Sequence, residues 1–332
     1  MQKLISLQYL RALAATAVLV HHFSGAFGYQ TRVGAAGVDV FFIISGFVMA
    51  LVTTNHVTAL RFLRDRIIRI VPMYWICTLF LYFCVSLRPN LFPLDVAELG
   101  HLLKSLFFIP HISPLGSTFP LVIQGWTLIY EMFFYGIFAM ALTISQQNRL
   151  LITTAAITIL LVLGACIRSD SLAVETFTSP LMLEFVSGLW MYEVYRSGRM
   201  PSLEVCVALI AFSLVAFAIE ELLPSVSAPK ILLFGVPALC LFTGCLGLEG
   251  RIPLVRLILL VGDASYSIYL TNWFSLLFIV LVGAKFGIVR DGWPVIFASF
   301  PAAIILGIIA YRFVEMPVMG LLRHRIPQPA VL

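Results

Sequence analysis

Ionisable side chains are scarce in this sequence, and the few that interrupt apolar runs are the ones able to do chemistry. Arg11 and His22 stand eleven residues apart in LQYLRALAATAVLVHHF at 7 to 23. On an α-helix eleven residues turn through about 1100°, within about 20° of three full turns, and rise roughly 16 Å. Both side chains then face the same way, while His21 points about 100° aside. Asp39, Glu131 and Glu184 are acids inside other apolar runs. A carboxylate beside an imidazole fixes its tautomer and stabilises its protonated form, which is what a general base needs. Each of these residues also admits a plainer reading, an interhelical hydrogen bond or, for Asp39, a helix cap. A second set, Arg61, Arg64, Arg66 and Arg69, crowds one short connection. Arg66 and Arg69 share a helical face at i,i+3, and paired guanidiniums suit phosphate oxygens through forked hydrogen bonds. They equally suit topology anchors or contacts to anionic lipid headgroups.

The elements that position these groups are membrane helices. Hydrophobic residues make up 61% of the 332 positions and charged residues 11%, whereas an average soluble domain is about a quarter charged. A water-soluble surface cannot be built from that. The expected fold is all-α, a polytopic transmembrane bundle of about ten helices forming a single domain over 1–332. The apolar runs lie at 7 to 27, 33 to 54, 70 to 87, 124 to 145, 150 to 167, 178 to 195, 202 to 222, 231 to 248, 264 to 283 and 294 to 313. Each approaches the roughly 20 residues that cross a hydrocarbon core. The first run is read as a retained helix and not as a cleaved signal, because Arg11, His21 and His22 interrupt it.

Placing the N-terminus in the cytoplasm puts 13 Lys and Arg residues on that side and 7 on the other, with Arg11 inside the first span. Both termini are therefore expected to be cytoplasmic. In that orientation His22, Asp39 and Glu131 each lie about six residues from the outer end of their spans, roughly 8 to 10 Å deep. Glu184 falls at comparable depth. The long outer connection, about 88 to 123, carries five prolines and the acids Asp95 and Glu98 at capping-box spacing. Val96, Leu99, Leu102, Leu103, Leu106 and Phe107 then recur at helical intervals, which predicts a short interfacial helix or an ordinary amphipathic connector.

Several function classes find no footing. The six cysteines all fall in apolar spans and serve as small buried hydrophobes, without a disulfide framework or zinc spacing. No metal-ligand cluster, Gly-rich phosphate loop or nucleic-acid surface is visible, and the positive balance is explained by topology.

With these residues in view the chain resembles the membrane acyltransferase-3 family across nearly its whole length. The likeness rests on six blocks in the family's order: 7 to 23 as above, GVDVFFIISGFVM at 37 to 49, FLRDRIIRIVPMYW at 62 to 75, WTLIYEMFFY at 126 to 135, GDASYSIYLTNW at 262 to 273 and YRFVEMP at 311 to 317. The Glu block is most similar to the bacterial exopolysaccharide O-acetyltransferase branch. The resemblance implies an integral protein of the bacterial cytoplasmic membrane that uses acetyl-CoA or another acyl-CoA as co-substrate and a carbohydrate acceptor, often lipid-linked. By motif position it implies His22 and Arg11 as the central pair, Arg66 and Arg69 as contacts to the CoA phosphates, and Glu131 near the reaction. Where many relatives carry a His after the SYxxYL stretch, this chain has Asn272, so a proton-transfer role there is in doubt, although an amide still hydrogen-bonds an acceptor or a carbonyl.

On this reading His22 takes the proton of a sugar hydroxyl as it attacks the thioester, with Glu131 or Asp39 holding the imidazole. Arg11 steadies the donor, and Tyr135 or Asn272 stabilises the oxyanion. A covalent acyl-His22 intermediate is the alternative. The rival from another class is a proton-coupled transporter of a sugar or small metabolite, since intramembrane His and carboxylates also form proton relays. The Arg and His arrangement of the first span has no counterpart in the second half, where a transporter often repeats its architecture. A structural subunit of a polysaccharide-synthesis complex has no use for buried ionisable residues at one depth.

Overall fold

A computed structural model describes residues 4–26, 28, 31–89, 92, 96–167, 169–223, 228–287 and 293–325, the side chains of 284, 293, 294, 296, 324 and 325 excepted. Among them no strand occurs. The helices are α1 (Ile5–Ala26), α2 (Ala36–Val52), α3 (Ala59–Leu87), α4 (Leu99–Leu106), α5 (Gly125–Ile144), α6 (Arg149–Cys166) and α7 (Leu172–Phe177). They continue with α8 (Met182–Arg196), α9 (Leu203–Leu222), α10 (Val236–Gly247), α11 (Arg256–Asp263), α12 (Ser265–Lys285), α13 (Trp293–Ala310) and α14 (Met316–Arg325). A π-helical turn, Ile231–Gly235, leads into α10, and another, Tyr311–Glu315, joins α13 to α14.

Helix is the only open-ended structure that satisfies its own backbone in lipid. Among the described residues seven helical segments are long and apolar enough to cross a membrane. A helix occupies each of the ten expected runs, but three fall short of that measure. In α1 the polar Arg11, His21 and His22 intervene; α8 has 15 residues, and the helix over Ile231–Gly247 has 17. At 1.5 Å per residue such lengths fall below a core roughly 30 Å thick. The larger departure concerns the third run. It starts not at 70 but at Ala59, so Arg61, Arg64, Arg66 and Arg69 lie within a 29-residue helix and not in a connection. Thr58 caps that helix by accepting from the Arg61 N–H.

Two features fix the helices that carry the candidate residues. Glu249 accepts the first free backbone N–H groups of α1, from Ile5 at 3.0 Å and Ser6 at 2.8 Å, and the Ser6 hydroxyl at 2.5 Å. Four such donors are orphaned at every helix start, and a carboxylate there also complements the helix dipole. Gly46 of α2 and Gly188 of α8 face each other's helix so closely that a β-carbon on either would overlap the Phe185 or Ile43 carbonyl of the other. Small residues at such crossings let membrane helices touch backbone to backbone.

The long connection between α3 and α5 is tied down. α4 is shorter than the apolar pattern suggested, Asp95 lies outside the described residues, and Glu98 stands at the N-cap without a side-chain cap bond. Tyr74 and Trp75 of α3 donate to the Ser105 and Leu106 carbonyls at 3.1 and 2.9 Å. Beneath α4, His111 Nδ1 donates to the Ile109 carbonyl at 2.7 Å, so its Nε2 is left to accept from His101 Nδ1, also at 2.7 Å. Burial, with His111 and Lys104 adding to it, pushes the His101 imidazole down to about 4.

Candidate active site

Arg11 and His22 share a face of α1. Both Arg11 and His22 turn toward α12: Arg11 Nε donates to the Ser265 hydroxyl at 3.2 Å, and His22 Nδ1 lies 3.5 Å from Asn272 Oδ1. His21 turns aside to the Thr31 carbonyl at 2.6 Å. The shared depth of His22, Asp39 and Glu131, by contrast, does not bring them together.

Glu131 sits with the arginines. It accepts from Ser45 at 2.9 Å and from Tyr135 in a short bond, and it lines a cavity of about 130 Å³ with Arg11, Arg66 and Arg69. The reason lies in where α5 begins. Its first residue is Gly125, so Gln124 marks the N-terminal end of the helix and Glu131 lies roughly two turns further along. Asp39, fully buried, turns to the other side of α2, where the Glu184 carboxyl is its charged neighbour, and no carboxylate oxygen of either acid has a hydrogen-bond partner among the described residues. Asp39 is thus excluded as the group that orients His22, and Glu184 is its neighbour. Tyr135, held by Glu131 and Ser45, faces the arginine cavity and not His22.

His22 is instead surrounded by amides. Gln124 Nε2 donates to Asn272 Oδ1 at 2.6 Å and lies 3.4 Å from His22 Nδ1. The Trp273 ring stacks on the imidazole at 5.8 Å between centroids. Asn272 Nδ2 and Trp273 Nε1 are buried donors with no partner among the described residues. Unpaired buried donors of this kind cost about 1–3 kcal/mol each, so they mark places where an acceptor group can bind.

Hydrogen bonds connect the His22 cluster to the cavity. The Thr127 and Tyr269 hydroxyls lie 3.0 Å apart and reach the Gln124 carbonyl at 3.0 and 3.2 Å, and both side chains line the Glu131 cavity. At its far end Arg11, Arg66 and Arg69 also line a second cavity of about 280 Å³ with Asp263, Tyr311 and Arg323. The four guanidiniums are not equivalent. Arg69 is ion-paired with the buried Glu315, which the Ser267 hydroxyl also meets at 2.5 Å. Arg66 Nε has no partner among the described residues.

Sequence reasoning missed Gln124, Glu315, Thr127, Tyr269 and Arg323. Glu315 lay inside a quoted block, and the i,i+4 phase from Tyr311 gave no hint that a π-helical turn would aim it at Arg69. Gln124 sits just outside the WTLIYEMFFY block, at a helix end where a polar residue is unremarked.

Comparison with known proteins decides the family. The acyltransferase-3 model, described as an acyltransferase domain, matches residues 4–312. The chain belongs to this family. It is 38% identical to the exopolysaccharide production protein ExoZ of Rhizobium meliloti (strain 1021), over 91% of this chain and 94% of that one. It is 26% identical to the acyltransferase MdmB of Streptomyces mycarofaciens, over 98% of this chain and 94% of that one. No solved structure matches. With seven membrane-capable helical segments among its described residues, this member is an integral membrane acyltransferase.

Proposed function

We propose that the protein moves an acyl group, acetyl in the first instance, from cytoplasmic acyl-CoA to a hydroxyl of an exopolysaccharide sugar unit, carried on lipid or at the outer side. The bundle would cross the bacterial cytoplasmic membrane ten times with both termini inside. The observation that carries this reading is the polar column inside the bundle. It starts at the arginine cavities, passes Glu131, Thr127 and Tyr269, and ends at the His22, Gln124 and Asn272 cluster. The name of the ExoZ relative supports the acceptor class.

Arg66, Arg11 and Arg323 present positive charge without a fully committed counter-charge, which suits the phosphates of CoA. The pantetheine arm would follow the column, bringing the thioester toward His22. His22 Nε2 removes the proton from the sugar hydroxyl as its oxygen attacks the thioester carbon. The new C–O bond forms, the C–S bond breaks, and the proton passes from the imidazolium to the leaving thiolate, giving ester and free CoA thiol. Asn272 Nδ2 donates to the carbonyl oxygen while it carries negative charge. With Glu131 and Asp39 elsewhere, no carboxylate among the described residues is hydrogen-bonded to the imidazole, and the Asn272 amide oxygen accepts a hydrogen bond from Nδ1–H. The test is incubation of the purified protein with labelled acetyl-CoA and alkali-deacylated exopolysaccharide from the producing strain. Label should enter the polysaccharide as base-labile ester; consumption of acetyl-CoA with label entering only small-molecule acceptors would move the acceptor class.

A further inference from the structure

Gln124 has no place in the sequence reading, yet it is among the most enclosed polar residues of the bundle. Its side chain is 1% exposed and it stands at the N-cap of α5 without capping that helix. Its Nε2 donates to Asn272 Oδ1 at 2.6 Å, so Oδ1 faces Gln124 and Nδ2 faces away. Asn272 is itself 1% exposed, and that Nδ2 is without a partner among the described residues. Oδ1 has two lone pairs. One is taken by Gln124, and the other is 3.5 Å from His22 Nδ1, which also lies 3.4 Å from Gln124 Nε2; in the tautomer with its proton on Nδ1, Asn272 Oδ1 is the acceptor and Nε2 is left bare. Were the amide turned over, Nδ2 would face Nδ1, the proton would move to Nε2, and the free donor would be lost at the same stroke.

We propose that Gln124 is a positioning residue of the transfer site. By donating to Asn272 Oδ1 it holds that amide so that one end keeps His22 in the base-competent tautomer and the other donates to the carbonyl oxygen of the acyl donor. The inference rests on the reading of His22 as the base. It adds no reactant: Gln124 touches neither donor nor acceptor and acts through Asn272.

The experiment compares the full-length wild type with Gln124→Met, Asn272→Ala, the double variant and His22→Ala, using labelled acetyl-CoA and the deacylated exopolysaccharide. Gln124→Met keeps the side-chain length and removes the donor, while the Gln124 carbonyl still holds Thr127 and Tyr269. Loss of one oxyanion donor costs roughly 100- to 1000-fold in kcat, and a loosened one part of that. Gln124→Met should therefore lose about 10- to 100-fold in kcat with the KM for acetyl-CoA within about twofold. The double variant should be no slower than Asn272→Ala, because the two act as a unit. Gln124→Glu, which accepts where Gln124 donates and so turns the amide, should reproduce the loss, and it carries the test if Gln124→Met inserts poorly. Wild-type kcat in either Gln124 variant, or multiplicative losses in the double, would overturn the assignment. If His22→Ala itself stays active, the reading beneath it fails instead.

Discussion

Arg66 and Arg69 line the same two cavities, yet replacing each by glutamine should separate binding from folding. Arg69→Gln removes the ion-pair partner of Glu315, whose side chain is 1% exposed, and among the described residues leaves it the Ser267 hydroxyl as hydrogen-bond partner. Breaking a buried pair by removing one partner costs about 3–5 kcal/mol. Because the Arg69 side chain is 22% exposed on the cavity side, the lower end, about 3 kcal/mol, is expected. For a chain of this size that is roughly a 4 °C fall in the unfolding midpoint. Among the described residues Arg66 is in no ion pair, so Arg66→Gln should shift the midpoint by less than about 1 °C. A charge-assisted hydrogen bond contributes about 1.5–3 kcal/mol, so Arg66→Gln should weaken acetyl-CoA binding roughly 10- to 100-fold. The assay is thermal unfolding of detergent-purified protein beside acetyl-CoA titration. Arg69→Gln paired with Glu315→Gln removes both charges and should recover most of the lost stability. Wild-type stability in Arg69→Gln, or no recovery in the double variant, would refute the ion-pair argument.

Three further outcomes follow from the same structure. In a background without native cysteines, tags near Arg64 and Arg323 should label only from the cytoplasm and one near Ser113 only from outside; the reverse pattern at Ser113 would invert the bundle. Gly188→Ala or Gly46→Ala should separate α2 from α8 and cost at least about 2 kcal/mol with reduced yield of folded protein, since the new methyl meets backbone and not a movable side chain; normal unfolding midpoints would show the crossing to be looser. The His101 imidazole, held down to about 4 from its ordinary 6.5, takes up its proton more readily when the outer connection unfolds. Its contribution is complete above about pH 6.5 and is lost as pH falls toward about 4. Hydrogen exchange in 99–121, corrected for intrinsic rates, should speed up on going from pH 7.5 to 5, and His101→Asn should flatten that response.

What was legible in the sequence was periodic or local. Eleven residues between Arg11 and His22 set a common face on any straight helix, and α1 carries both toward α12. The i,i+3 spacing of Arg66 and Arg69 likewise survives, although they proved to lie in a helix that begins at Ala59. What was not legible depended on where helices start and which neighbour each face meets. Equal depth in apolar runs implied that Glu131 and Asp39 meet His22. The start of α5 at Gly125 puts Gln124 there instead, and the Gly46 and Gly188 crossing turns Asp39 toward Glu184. Neither a helix start within a few residues nor the pairing of two glycine faces is encoded in hydropathy. The π-helical turn at Tyr311–Glu315 is similar: it inserts an extra residue in the phase and delivers Glu315 to Arg69.

The most direct test of the account is acetyl transfer by His22→Ala in protein that still inserts and still binds acetyl-CoA, measured beside His21→Ala. A general base contributes roughly 100- to 10,000-fold, so His22→Ala should lose transfer on that scale. His21, which turns to the Thr31 carbonyl away from the amide cluster, should be replaceable with most of the activity kept. Transfer by His22→Ala at near the wild-type rate would contradict the mechanism.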